Sequence, residues 1–257
     1  MFRKFRIAVL LLILVFVALN TWLDRVYSRD WNGTLQVALY PVNIDGSAAA
    51  DRFIRLLRAD DFNDLSDFFS QQAADYELKL QTPLSFALAP ALKEAPPLPP
   101  EQGSRFDIML WSLKLRWFTW RTPNPPGPTP IIRMFLLFHD PQKLNVLPHS
   151  TGLEKGLVGI THVFADDGMA RANLVVVAHE LLHTLGATDK YDLGTNQPLY
   201  PDGYADPEQQ PRYPQQAAEV MAGRIPVSET DAEQPRSLRQ AIIGSLTARE
   251  IGWVTAP

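Results

Sequence analysis

Hydrophobic residues along this chain alternate between two periodicities. The run TLQVALYPVN, 34–43, is apolar and β-prone and predicts a first strand ending near Pro41. Phe53, Ile54 and Leu57, then Leu65, Phe68 and Phe69, recur at helical spacing and predict two helices. LSFALAP reads as a second strand, after which the cluster APPLPP, 95–100, breaks regular structure. Ser104 followed by Asp107 is a capping signal for a helix carrying Phe106, Leu110, Leu113 and Trp117 on one face, and its tryptophans are expected in the core. Beyond the loop RTPNPPGPTP, IIRMFLLFHD is a strong strand pattern, and GLVGITHVFA, 156–165, is expected as another strand.

From Arg171 the pattern turns helical, with Leu174, Val175, Ala178, Leu181, Leu182 and Leu185 on the apolar face and Gly186 as the stop. The stretch 194–216 is rich in Pro, Gly and Asp, and helical signals return only in SLRQAIIGSLTAREIGW. The pattern therefore predicts an α+β fold: a mixed, twisted sheet with helices, then a loop-rich C-terminal half closed by a helix. Both proline clusters are short and read as loops within one domain, and no internal repeat is present.

The first residues follow a different logic. Arg3, Lys4 and Arg6 precede an apolar run from Ile7 to Leu19 that weakens through Trp22 and Leu23. The strict run fits a signal-peptide core, while counting through Leu23 approaches the length of a bilayer span. No small-x-small cleavage site follows, and Trp22 stands where an interfacial aromatic would. The reading taken is an uncleaved signal anchor over residues 1–25, ahead of a cleaved signal peptide or a buried helix. It implies a single-pass membrane protein with a cytoplasmic N-terminus and residues 26–257 as an extracytoplasmic domain.

Composition narrows the chemistry. The net charge of −4 supplies no basic surface for phosphates, which sets nucleic acid aside as a partner. With no cysteine in 257 residues, any metal must be held by His, Asp or Glu, and no disulfide framework is available.

The segment AHELLHTLGATDKYD, 178–192, offers that donor set. His179 and His183 are four apart, so on a helix both imidazoles project from one face and suit one metal. Glu180 is rotated off that face, as a base acting on water requires. Gly186 permits a sharp turn, so that Asp189 can swing back as a third protein ligand. Asp192, three residues further, remains an alternative ligand.

These residues, His179, Glu180, His183, Gly186 and Asp189, form HExxHxxGxxD. The motif resembles the extended zinc motif of the metzincin metallopeptidases in the variant, as in snapalysin, that has Asp as third ligand. The resemblance extends over roughly 156–253 and implies a metzincin-like fold with an active-site helix, Zn2+ as cofactor and Glu180 as general base. It also implies a methionine turn beneath the metal, for which AEVMAGRIP supplies Met221. A tyrosine two residues after that methionine is absent, since Gly223 stands there; any such role would fall to Tyr191, Tyr200, Tyr204 or Tyr213.

The expected function is thus a membrane-anchored zinc endopeptidase acting on peptide or protein, with extended substrate paired along the edge strand GLVGITHVFA. The alternatives are an extracytoplasmic binding or scaffold module with structural zinc, and a zinc hydrolase of cell-wall peptide or amide bonds. Outside the motif, His162 reads as a structural histidine, His139 and His149 as loop residues, and Asp202 and Asp206 as a solvated turn rather than a calcium site. Oligomeric state is not encoded in any pattern found.

Overall fold

The computed structural model describes residues 29–100 and 102–254, together with Arg6, Ile7, Leu11, Leu12 and Val15. Its centre is a five-stranded sheet in the order β2-β1-β3-β5-β4, from β1 (Leu35–Asn43), β2 (Leu84–Leu88), β3 (Ile132–His139), β4 (Thr151–Leu153) and β5 (Val158–Phe164). The first four strands in that order are parallel, and β4 closes the edge antiparallel to β5. Parallel strands with both faces covered read as continuous apolar runs, and β1 and β3 do.

Successive side chains serve two cores. Leu35, Val37 and Leu39 of β1 and Ile132, Met134 and Leu136 of β3 face one core. It is filled by α1 (Ala48–Leu56), α2 (Asn63–Asp75) and α4 (Ala170–Thr184). Ala38, Tyr40 and Val42, with Phe135 and Leu137, face the other, covered by α3 (Arg105–Arg121). Strand periodicity thus separates the helices onto opposite faces of the sheet. The chain is a mixed α/β structure with a mostly parallel sheet and several helices.

After α4 regular structure is sparse. Two-residue strands β6 (Ala218–Glu219), β7 (Ile225–Pro226), β8 (Ala232–Glu233) and β9 (Ala241–Ile242) pair as β6–β9 and β7–β8. The expected C-terminal helix is only α5 (Ser245–Glu250), because Gly244 and the short strand β9 precede it.

Three expectations are corrected. GLVGITHVFA is internal, between β3 and β4, and the edge belongs to the three-residue β4. On α3 the expected buried face is the exposed one: Leu115, Phe118 and Thr119 are buried, while Phe106, Leu110, Leu113 and Trp117 face solvent. The signal anchor, and with it the transmembrane, single-pass and extracytoplasmic assignment, is not upheld. Among the described residues no helix is long and apolar enough to cross a membrane, and most of 1–25 lies outside them.

Candidate metal centre

Helix α4 is pinned to the sheet before it presents any chemistry. The Asn173 amide donates to Phe164 O at 2.8 Å and accepts from Phe164 N at 3.2 Å, which fixes the helix against the end of β5. The helix ends in a Schellman arrangement: Gly186 N donates to His183 O and Ala187 N to Leu182 O, both at 3.0 Å. Gly186 has φ of 92°, a left-handed conformation that glycine adopts without strain. The chain therefore reverses directly after the second histidine and returns Asp189 to the helix face.

Three donor atoms converge. His179 Nε2 and His183 Nε2 are 3.1 Å apart, and Asp189 Oδ1 is 3.2 Å and 3.1 Å from them. Each imidazole is oriented by a carbonyl behind it: Val220 O at 2.9 Å from His179 Nδ1, and Ala187 O at 2.8 Å from His183 Nδ1. A carbonyl requires a proton on Nδ1, which leaves each neutral ring a bare lone pair on Nε2. Two lone pairs and a carboxylate oxygen in mutual contact repel unless a cation lies between them. Buried Asp189 Oδ1 accordingly has no hydrogen-bond donor.

The spacing fits one ion held among the three atoms. Tetrahedral ligands at about 2.0 Å from an ion are about 3.3 Å apart, close to the triangle present here. Two imidazoles and one carboxylate suit a borderline ion such as Zn2+, whereas calcium and magnesium select oxygen donors. The triad is the one group among the described residues able to hold a metal with three such side chains.

The electrostatics follow from burial and these neighbours. Burial disfavours charge on Asp189, but when the two imidazoles are protonated instead of metal-bound their N–H donors and charge outweigh it and hold its carboxyl well below the ordinary value. Burial raises Glu180 above the usual carboxylate range, partly offset by His179, His183 and His149. Its Oε2 is buried without a partner, free to accept a proton from a molecule at the centre.

A second layer of structure stands behind the triad. Residues 219–223 form a tight turn in which Ala222 N and Gly223 N donate to Glu219 O, with φ of 69° at Gly223. Met221, at its apex, is fully buried, and its carbonyl accepts from Lys190 N at 3.0 Å. The turn thus contacts both sides of the site, His179 through Val220 and Asp189 through Lys190. Beneath it the buried Glu219 carboxylate accepts from Met221 N (2.6 Å), Ala222 N (3.0 Å), Gly244 N (3.0 Å) and Thr247 Oγ1 (2.7 Å). Lys190, also buried, joins Glu250 at 2.7 Å and ties the loop after α4 to α5.

The other sequence candidates separate clearly. Asp192 turns into its own loop, where Oδ1 accepts from Gly194 N, Thr195 N and Thr195 Oγ1. Tyr204 and Tyr213 hydrogen-bond each other at 2.9 Å, and Tyr200 lies under the Arg212 guanidinium at 4.0 Å. Tyr191 lies beside the centre: its ring is 6.4 Å from that of His179, and its phenol is within electrostatic reach of Asp189 and Glu180. Burial, then the charges of Asp189 and Glu180, raise its phenol above the ordinary value. His162 and His139 bond each other at 2.8 Å, away from the triad. Sequence reasoning placed His149 in a loop, and the loop brings it within electrostatic reach of Glu180.

Strand β4 crosses directly over the motif. A Cβ on Gly152 would lie 2.3 Å from Glu180 O and 2.5 Å from the His183 Cβ, so only glycine lets the edge strand pass this close. A surface concavity lined by Asp30, Gly33, Thr34, Ile131, Gly156 and Leu157 contains none of the triad. No family model matches the chain, and no curated protein matches it.

Proposed function

We propose that the protein is a zinc-dependent endopeptidase with a metzincin-like arrangement, and the convergence of His179 Nε2, His183 Nε2 and Asp189 Oδ1 carries that reading. Zn2+ held there supplies the Lewis acidity that makes water a competent nucleophile at neutral pH. Glu180, buried and unpartnered at Oε2, accepts the proton of the attacking water and returns it to the leaving amine, so that one peptide bond is replaced by a carboxylate and an amine. Tyr191 supplies a hydroxyl beside the centre that can donate to the oxygen developing negative charge. The outer edge of β4 offers backbone groups for an extended substrate strand directly above Glu180 and His183.

A purely structural zinc fits less well. Such sites close their fourth position with another protein ligand, whereas here the buried Glu180 Oε2, within electrostatic reach of all three triad residues, has no hydrogen-bond partner. The test is cleavage of a peptide library with and without chelator. Activity that zinc restores, and that Glu180→Gln abolishes while the metal stays bound, supports an enzyme; no cleavage by any zinc-loaded preparation defeats the proposal.

A further inference from the structure

Helix α3 has two apolar faces, and the sheet uses only one of them. Leu115 and Phe118 are buried, with the Phe118 ring 5.4 Å from that of Phe135. At about 100° per residue, Phe106, Met109, Leu110, Leu113, Trp117 and Trp120 fall within an arc of about 100° on the opposite side. All six are exposed, Trp117 by 62% and Trp120 by 73%, and those two rings pack together at 5.0 Å. Scattered exposed apolar residues are ordinary, but a continuous stripe on one helix marks a contact surface.

The charges state what the stripe contacts. Arg105 and Arg116 lie along one border of the arc and Lys114 and Arg121 along the other, each within about 40° of its edge. Asp107 is the one acid on the helix, held in its N-terminal capping box. The helix is therefore net +3 in a chain of −4. Arg116 reaches the Lys155 carbonyl, which adds the exposed Lys155 to that flank, and Arg121 pairs with Glu94 at the helix end. Tryptophans on an apolar stripe, with long basic side chains on both borders, match the layered polarity of a membrane surface: acyl chains below, anionic headgroups at the rim. A second copy of this helix would bring like charges together on both borders.

We infer that α3 is an interfacial helix that lays its Phe106–Trp120 stripe into an anionic lipid surface while its other face stays on the sheet. The contact lies in the membrane plane and spans nothing. Because α3 and α4 cover opposite faces of the sheet, the inference is independent of the metal centre.

The absence of cysteine makes a site-specific test direct. Leu113→Cys in the full-length chain, labelled with an environment-sensitive fluorophore, reports this helix and no other segment. Vesicles of phosphatidylcholine with one quarter phosphatidylglycerol should shift the emission to the blue. Pure phosphatidylcholine or high salt should largely remove the shift. Lys114→Gln with Arg116→Gln should weaken vesicle partitioning about twenty-five-fold, at about fivefold per charge. Three results overturn the inference: a label that stays in water while the protein sediments with vesicles, an equal response to neutral lipid, or a lipid-free shift that grows with protein concentration.

Discussion

His179 donates its Nδ1 proton to the carbonyl of Val220, 2.9 Å away, the residue immediately before Met221. One hydrogen bond thereby couples the first histidine of the proposed metal triad to a turn 41 residues further along the chain. The methionine acts through its backbone and bulk: its side chain fills the core below the turn, and the turn aims the imidazole.

Met221→Ala should open a cavity in that core and lower stability by about 2–5 kcal/mol. Zinc affinity should fall about 10–100-fold, because the carbonyl that orients His179 loses its support. Denaturant unfolding and metal titration with a competing chelator measure the two effects separately. Weakened folding at unchanged zinc affinity would show that the turn does not position the ligand.

Glu219→Gln tests the same device from below. The carboxylate accepts four donors in a buried site, and an amide presents hydrogens to some of them. A loss of about 2–3 kcal/mol is expected, read as a thermal shift of roughly 4–12 °C. A variant as stable as the parent contradicts the assignment of Glu219 as the anchor of the turn.

The local part of this site was legible in the sequence, since His179, His183, Gly186 and Asp189 depend on helix pitch and one glycine stop. The runs of β1, β3 and β5 were equally plain, because strands covered on both faces stay apolar throughout. What escaped notice depends on contacts distant in sequence. Strand β4 is three residues long and has no periodicity of its own; it exists because Gly152 fits over Glu180 and pairs with β5. Tyr191 could not be chosen from four tyrosines until the partners of Tyr200, Tyr204 and Tyr213 were known. Helix α3 misled because both of its faces are apolar, and spacing alone cannot say which one meets the sheet.

Asp189 and Asp192 give a clean contrast. Asp189→Asn replaces a charged oxygen in the triad with a weak neutral donor and should release zinc. Asp192→Asn should leave occupancy unchanged, since that carboxylate accepts only from its own loop. Zinc per protein measured on both variants decides between them, and loss of zinc in Asp192→Asn alone would reverse the assignment.

Tyr191→Phe should retain zinc and lower kcat about a hundredfold with little change in KM, as expected for a donor to the developing oxyanion. Full turnover in this variant would leave Tyr191 with a packing role.

The buried His139–His162 pair predicts an acid limit on stability. Burial, then the neighbouring His139, lowers His162 from about 6.5 to about 4. The unfolded chain thus takes up a proton that the folded chain refuses, and stability falls as the pH drops from about 6.5 to about 4, by roughly 3 kcal/mol in total. His162→Gln should flatten that part of the stability profile. An unchanged slope in urea titrations across this range would assign the acid sensitivity to other groups.

His179, His183 and Asp189 are proposed to hold one zinc ion on which Glu180 acts as a base without being a ligand. Native mass spectrometry of the full-length protein, its Glu180→Gln variant and its His183→Ala variant tests this directly. One zinc per chain is expected in the first two and none in the third. Zinc retained by His183→Ala, or no zinc in the wild-type protein after loading, would contradict it.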